Sequence, residues 1–282
     1  MEHVQDLSTM REKINTVRKQ GKSIGFVPTM GFLHEGHISL IRAARAQNDY
    51  VVVSIFVNPL QFGKGEDYTE YPRDLENDSR LAESAGCDLI FSPAVRDLYP
   101  PGYATYVEVL SSVTQGLCGA SRSGHFRGVT TVLVKLFNLV KPDRTYFGQK
   151  DAQQCLVVKK MLDDLNYNIQ FNIMPTVREA DGLAMSSRNK YLTPRQRVAA
   201  SVLYRSLQQV ELLIRGGERN GAILKENVRR LITAVPETEI DYIEIMEVDG
   251  LKPVEQVKNN CLVALAVKFG STRLIDNIIL EV

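Results

Sequence analysis

The chain has no tryptophan and only four cysteines and four histidines among its 282 residues. Cys87, Cys118, Cys155 and Cys261 lie far apart, with no CxxC or other metal-ligand spacing. That excludes a disulfide framework and a zinc ribbon, and leaves reduced core thiols as the expectation for a cytoplasmic protein. Neither charge dominates: Lys+Arg 34 against Asp+Glu 33 gives a formal net charge of +1. Without a basic block to follow a phosphate backbone, nucleic acid is not an expected partner. Long apolar runs are missing too. The strongest, Tyr50 to Val57, is far too short to span a bilayer, so no membrane partner is expected. The opening MEHVQDLSTM carries acids where an export signal carries bases.

Several catalytic signatures are absent as well. No GxxxxGK[ST] phosphate loop and no GxSxG elbow occur. HEGH, from His34 to His37, is not HExxH, and nothing completes a zinc site around it.

What is present is an alternation of patterns. Leu7, Met10, Ile14 and Val17 mark a helix that Gly21 ends. Strand-like runs follow at Ile24 to Val27, Tyr50 to Val57, Leu89 to Phe91, Thr145 to Phe147 and Ile169 to Val177, with helical patterns near 37–47, 73–85, 129–140 and 151–165. This order predicts an α/β domain of Rossmann type, a doubly wound parallel sheet over residues 1–184. Near residue 185 the texture changes. A capped helix at Thr193 and Pro194, another near 221–234, and runs at Ile240 to Val248, Cys261 to Phe269 and Leu274 to Val282 predict a smaller α+β lid domain over 185–282.

Parallel sheets bind ligands at the carboxyl ends of their strands, and the informative loops fall there. VPTMGFLHEGH runs from the first strand into a helix, where unpaired amides and the helix dipole favour an anion. Gly31 and Gly36 permit positive φ and close approach, and His34 and His37 add donors three residues apart. NPLQF carries Gln61, whose amide suits hydroxyls and a carboxylate. GQKDAQQ offers Gly148, the mobile charge of Lys150, Asp151 as a helix cap or ribose contact, and Gln154 one turn beyond Lys150. MSSRN supplies Ser186, Ser187 and the guanidinium fork of Arg188. GHFRG reads as an anion loop or simply as the cap of the helix beginning near Val129.

Taken in order, PTMGFLHEGH, NPLQF, YPR, GHFRGV, FGQKDAQQ, DGLAMSSRN and RLIDN resemble the pantoate–β-alanine ligase family over nearly the whole chain. His-x-Gly-His alone would point only to the wider nucleotidyltransferase superfamily, which also holds enzymes that adenylylate phosphate-bearing acceptors. A nucleotide-binding regulator without turnover is the rival from another class. The resemblance implies ATP-dependent joining of pantoate to β-alanine through a pantoyl-adenylate, with AMP and pyrophosphate released.

It also implies roles. Met30, Gly31, Phe32, Leu33, His34, Glu35, Gly36 and His37 would front the ATP site, with His34 and His37 at the phosphates and His37 at the position the family names as proton donor. Gly148, Gln149, Lys150 and Asp151 would lie along the nucleotide, the backbone of Val177 at the adenine, and Met185, Ser186, Ser187 and Arg188 at the triphosphate. Gln61 and Gln154 match the family's pantoate-binding glutamines. Mg2+ would accompany ATP. Where some members carry adjacent acids after YPR, this chain reads Asn77-Asp78, leaving Asp78 as the candidate metal ligand. Ser123 stands where proline is frequent. A cytoplasmic homodimer is likewise implied.

Overall fold

The structure is a computed structural model that describes residues 1–282. Six parallel strands form the first sheet: β1 Glu2–Val4, β2 Ile24–Thr29, β3 Tyr50–Ile55, β4 Leu89–Phe91, β5 Arg144–Gly148 and β6 Gln170–Met174, in the spatial order β1-β4-β3-β2-β5-β6. The interiors of β2, β3 and β4 are near-continuous apolar runs, as in sheets covered by helices on both faces. β2 and β3 pair from Ile24↔Tyr50 to Thr29↔Ile55, so the loops that follow them leave from neighbouring strand ends. β2 also pairs with β5. The chain order therefore reverses between β2 and β5, the point at which such sheets bind ligands.

Most elements match the sequence-based expectation, though the strand expected to reach Val177 ends at Met174 and the long helix expected after Thr193 and Pro194 is two, Pro194–Ala199 and Val202–Arg215. Three further differences occur. β1 is an edge strand of three residues, too short to give a periodic signal. The helix assigned to begin near Val129 starts at His125, after Gly124 in the left-handed conformation at φ 76. The GHFRG segment is therefore a helix start. In addition, Gly36 does not turn the backbone; it lies in the first turn of the helix Glu35–Gln47.

The second sheet is antiparallel: β7 Thr238–Glu247, β8 Cys261–Phe269 and β9 Thr272–Leu280, in that order. β8 and β9 join through Gly270 and Ser271, with Gly270 at φ 58. Helices Val202–Arg215 and Gly221–Thr233 pack their apolar faces with this sheet, burying Leu203, Leu207, Val210, Leu224, Val228, Ile243, Val263 and Leu265 in one core.

The chain divides into two compact units, though not at 184/185. The first comprises Met1–Leu110, Arg122–Gly148 and Gln154–Pro175; the second comprises Ser111–Ser121, Gln149–Gln153 and Thr176–Val282. Side-chain hydrogen bonds and ion pairs explain the difference. Arg178 pairs with Asp276 of β9 at 2.6 Å, which ties the segment after β6 to the second unit. Buried Gln153 donates to Val113 O at 2.9 Å and Gly116 O at 2.7 Å, and accepts from Cys118 N at 2.9 Å. That side chain joins 149–153 to 111–121. No helix of the protein is long and apolar enough to cross a membrane.

Candidate active site

In the first unit, the turn after β2 is built around Asp78. This carboxylate is 1 % exposed and accepts from the amides of Phe32 at 2.8 Å and Leu33 at 2.6 Å. Thr29 adds a third tie, accepting from Gly31 N at 3.1 Å and donating to Ser54 O at 2.8 Å. Gly31 sits at φ 83, and a Cβ there would lie 2.9 Å from Ile55 Cγ2 and 3.0 Å from Asp78 Oδ2. Glycine is needed at this position for both its backbone conformation and the space it leaves. Phe32 follows at φ 52, a left-handed conformation held by its bond to Asp78.

The turn delivers the two histidines. His34 is the N-cap of the helix Glu35–Gln47, its Nδ1 accepting from Gly36 N at 3.2 Å, while His34 N donates to His37 Nδ1 at 3.3 Å. This is a reciprocal capping box made from two imidazoles. Because each Nδ1 accepts from a backbone amide, the neutral form of either ring carries its proton on Nε2. The rings lie 4.1 Å apart between centroids with planes at 38°.

The turn after β3 carries Gln61. Its Nε2 donates to Met30 Sδ at 3.1 Å, and its Oε1 accepts from Asn58 Nδ2 at 3.1 Å. Asn58 is itself anchored, donating to Gly128 O at 3.1 Å and accepting from the Tyr99 hydroxyl at 2.9 Å. A Cβ on Gly128 would lie 2.2 Å from Leu60 O, so the helix His125–Val140 is set against this turn with no room for a side chain.

Below Gln61 lies a charged clamp that the sequence reading did not anticipate. Arg122 binds both oxygens of Glu66, at 2.8 and 2.6 Å, and approaches His125 Nε2 at 3.0 Å; His125 Nδ1 lies 2.8 Å from Gln61 O. Arginine only donates and a carbonyl only accepts, which makes His125 the Nδ1-protonated tautomer. Burial pushes the Glu66 carboxyl up, but the Arg122 hydrogen bonds and charge outweigh it and bring it down to about 2. The sequence signal was the histidine and arginine around GHFRG; their partner Glu66 is distant in sequence. Gln154 is half-buried in the first turns of the helix Ala152–Asp164. Gly148 ends β5, its carbonyl facing Cys155 Sγ at 3.5 Å.

Of the other residues singled out, Gln149, Lys150, Asp151, Val177, Met185, Ser186, Ser187 and Arg188 belong to the second unit. Lys150 Nζ lies 3.7 Å from Asp151 Oδ1. Met185 N donates to Val177 O at 3.0 Å, closing the loop that carries MSSRN. Ser186 caps the short turn Ser187–Tyr191 by accepting from Arg188 N at 3.2 Å. Asn189 holds the loop from within, donating to Glu179 Oε1 at 2.8 Å and Ala184 O at 3.1 Å. Arg197 pairs with Glu179 and Asp181, each at 2.5 Å, and its hydrogen bond brings the Asp181 carboxyl below the ordinary range.

Asp78 does not suit the metal role. Both of its oxygens serve backbone amides, and burial pushes its carboxyl up. No group of three or more His, Cys, Asp or Glu has the arrangement to hold an ion. Its place in the sequence suggested a cation ligand; in the fold it secures the turn that leads to His34.

Comparisons with known proteins bear on the family and the fold. Residues 2–279 match the family model described as pantoate-beta-alanine ligase. The pantothenate synthetase of Moorella thermoacetica is 59% identical over 282 residues, covering 100% of this chain and 99% of the relative. That of Acetivibrio thermocellus is 54% identical over the full length of both. Among solved structures, the pantothenate synthetase of Thermus thermophilus superposes with a TM-score of 0.94 at 45% identity, covering 99% of each chain. The pantoate-beta-alanine ligase of Francisella tularensis, solved with β-γ ATP and β-alanine, gives a TM-score of 0.83 at 36% identity, covering 99% of this chain and 97% of that one. With sequence and fold alike matching from end to end, the chain belongs to the pantoate–β-alanine ligase family.

Proposed function

We propose that the chain joins pantoate to β-alanine in two steps and that the residues described above divide the work. In the first step a pantoate carboxylate oxygen attacks the α-phosphorus of ATP, forming pantoyl-adenylate and expelling pyrophosphate. In the second, the β-alanine amine attacks the acyl carbon and AMP leaves with the electron pair of the broken C–O bond. A carboxylate is a poor acyl donor, and adenylation corrects that without any covalent bond to the protein.

The observation that carries the residue assignment is the His34–His37 capping box. With Nδ1 held by the backbone, both rings are fixed at a helix start, where the helix dipole suits charge that develops on phosphate oxygens. His34 and His37 are the phosphate donors. Lys150, Ser186, Ser187 and Arg188 neutralise the triphosphate and the departing pyrophosphate, with Gly148, Gln149 and Asp151 along the ribose and the Val177 backbone at the adenine. Gln61 and Gln154 bind pantoate, with Met30 toward its apolar carbons. The relative that carries β-γ ATP and β-alanine supports two of the three substrates. Magnesium would enter with ATP, held by phosphates and water in the manner usual for that ion. A cytoplasmic homodimer is the assembly we assign by kinship, checked by sedimentation.

The test is pyrophosphate exchange and AMP release by the purified chain. Pantoate-dependent ATP–pyrophosphate exchange without β-alanine, and net AMP only with both, is the expected result. Exchange that ignores pantoate would redirect the assignment to another acceptor.

A further inference from the structure

The Gln149–Asp151 turn directly follows β5 in sequence, yet it belongs to the second unit. Asn277 of β9 is one cause. Its Nδ2 donates to Gln149 O at 3.0 Å and to Lys150 O at 2.9 Å. Both carbonyls can only accept, so the orientation of the amide is dictated by its neighbours. The side chain is 4 % exposed, and its Oδ1 is buried without a partner. Asn277 thus commits one donor to the Gln149 carbonyl and one to the Lys150 carbonyl while its own acceptor goes unpaired.

Asn277 is itself held in place. Asp276 accepts from Asn277 N at 2.8 Å and binds Arg178 through both oxygens, at 2.6 and 2.9 Å. The Arg178 guanidinium lies 3.8 Å from the centre of the Tyr204 ring, and Arg178 also donates to Gly182 O at 3.1 Å. β9 packs against the Ser187–Tyr191 turn as well as the Gln149–Asp151 turn. One strand therefore supports both segments to which triphosphate contacts are assigned.

We propose that Asn277 is a positioning residue for the adenylation step. It fixes the Lys150 backbone in the same frame as Ser186, Ser187 and Arg188, so that the ammonium and the MSSRN donors act as one preassembled anion receptor. The proposal rests on the reading of Lys150 as a triphosphate contact. A residue acting through another loses its effect once that other is removed, whereas one that only supports the fold does not.

The experiment measures ATP affinity by calorimetry on the full-length chain for wild type, Asn277→Ala, Lys150→Ala and the double variant, with a melting curve for each. Asn277→Ala should weaken ATP binding by about 10-fold, within the range for residues coupled in one network, and should add less than about 2-fold on top of Lys150→Ala. Asn277→Ser, which keeps a hydroxyl donor for one carbonyl, should fall between wild type and Asn277→Ala; it also serves if the alanine variant folds poorly. Effects of Asn277→Ala and Lys150→Ala that multiply in the double variant would overturn the positioning role. Unchanged ATP binding in Lys150→Ala would instead overturn the Lys150 assignment, and the proposal with it.

Discussion

His34 and His37 cap each other across the first turn of their helix, with ring centroids 4.1 Å apart and each Nδ1 accepting a backbone amide. The arrangement does two jobs at once. It satisfies amides that a helix start leaves unpaired, and it fixes which nitrogen carries the proton.

Replacing His37 with alanine should lower pantoate-dependent exchange by roughly 10²–10³-fold, the scale of losing one preorganised donor. His37→Gln, whose terminal amide can stand in for Nε2–H, should retain more activity than His37→Asn. Equal rates for these two variants would remove the tautomer from the explanation.

Gln61→Ala should raise the KM for pantoate while leaving ATP affinity within about 2-fold, because its amide is assigned to pantoate and not to the nucleotide. A parallel loss in both titrations would count against a pantoate role.

Gly128→Ala puts a methyl where only 2.2 Å separates the ideal Cβ from Leu60 O. Overpacking of this kind costs about 1–3 kcal/mol. Since the Asn58–Gln61 turn must move to relieve it, the pantoate KM should rise along with the loss in Tm; a full-strength pantoate response would mean the turn is not what holds Gln61 in register.

Asp78→Asn keeps one acceptor but turns an NH2 group toward a backbone amide, leaving a buried donor unpaired at a cost of about 1–3 kcal/mol. Urea unfolding should show that loss, with the magnesium dependence of turnover unaltered. A tenfold shift in magnesium requirement at unchanged stability would restore the metal role to this carboxylate.

The Glu66 carboxyl, brought down to about 2 from an ordinary value of 4.5, binds fewer protons folded than unfolded between those limits. Its contribution to stability is therefore present above about pH 4.5 and is lost as the pH falls toward 2. Melting curves of wild type and Glu66→Gln should differ most near about pH 6 and converge toward about pH 3. A gap that widens on acidification would contradict the Arg122–Glu66 clamp.

Fold and site differed in how far the sequence revealed them. The central strands were legible because a parallel strand covered on both faces is apolar along most of its length, as Ile24–Thr29 and Tyr50–Ile55 are. β1 escaped notice because three residues carry no period. Among the candidate residues, His34, His37, Gln61, Lys150 and the MSSRN loop were visible as unusual residues after strands. The residues that hold them were not. Asp78 stood as a candidate cation ligand, while Asn58, Gln153 and Asn277 lay inside quoted motifs without an assigned role and Glu66 lay outside them.

By itself, then, the sequence determined the family and the two kinds of sheet, because periodicity and local motifs are written in neighbouring residues. Tertiary structure decided what each support does. Asp78 reaches Phe32 and Leu33 across 46 and 45 positions, and Asn277 reaches Lys150 across 127. A buried carboxylate or amide takes its role from the partners the fold brings within about 3 Å, and no local pattern encodes which partners those will be.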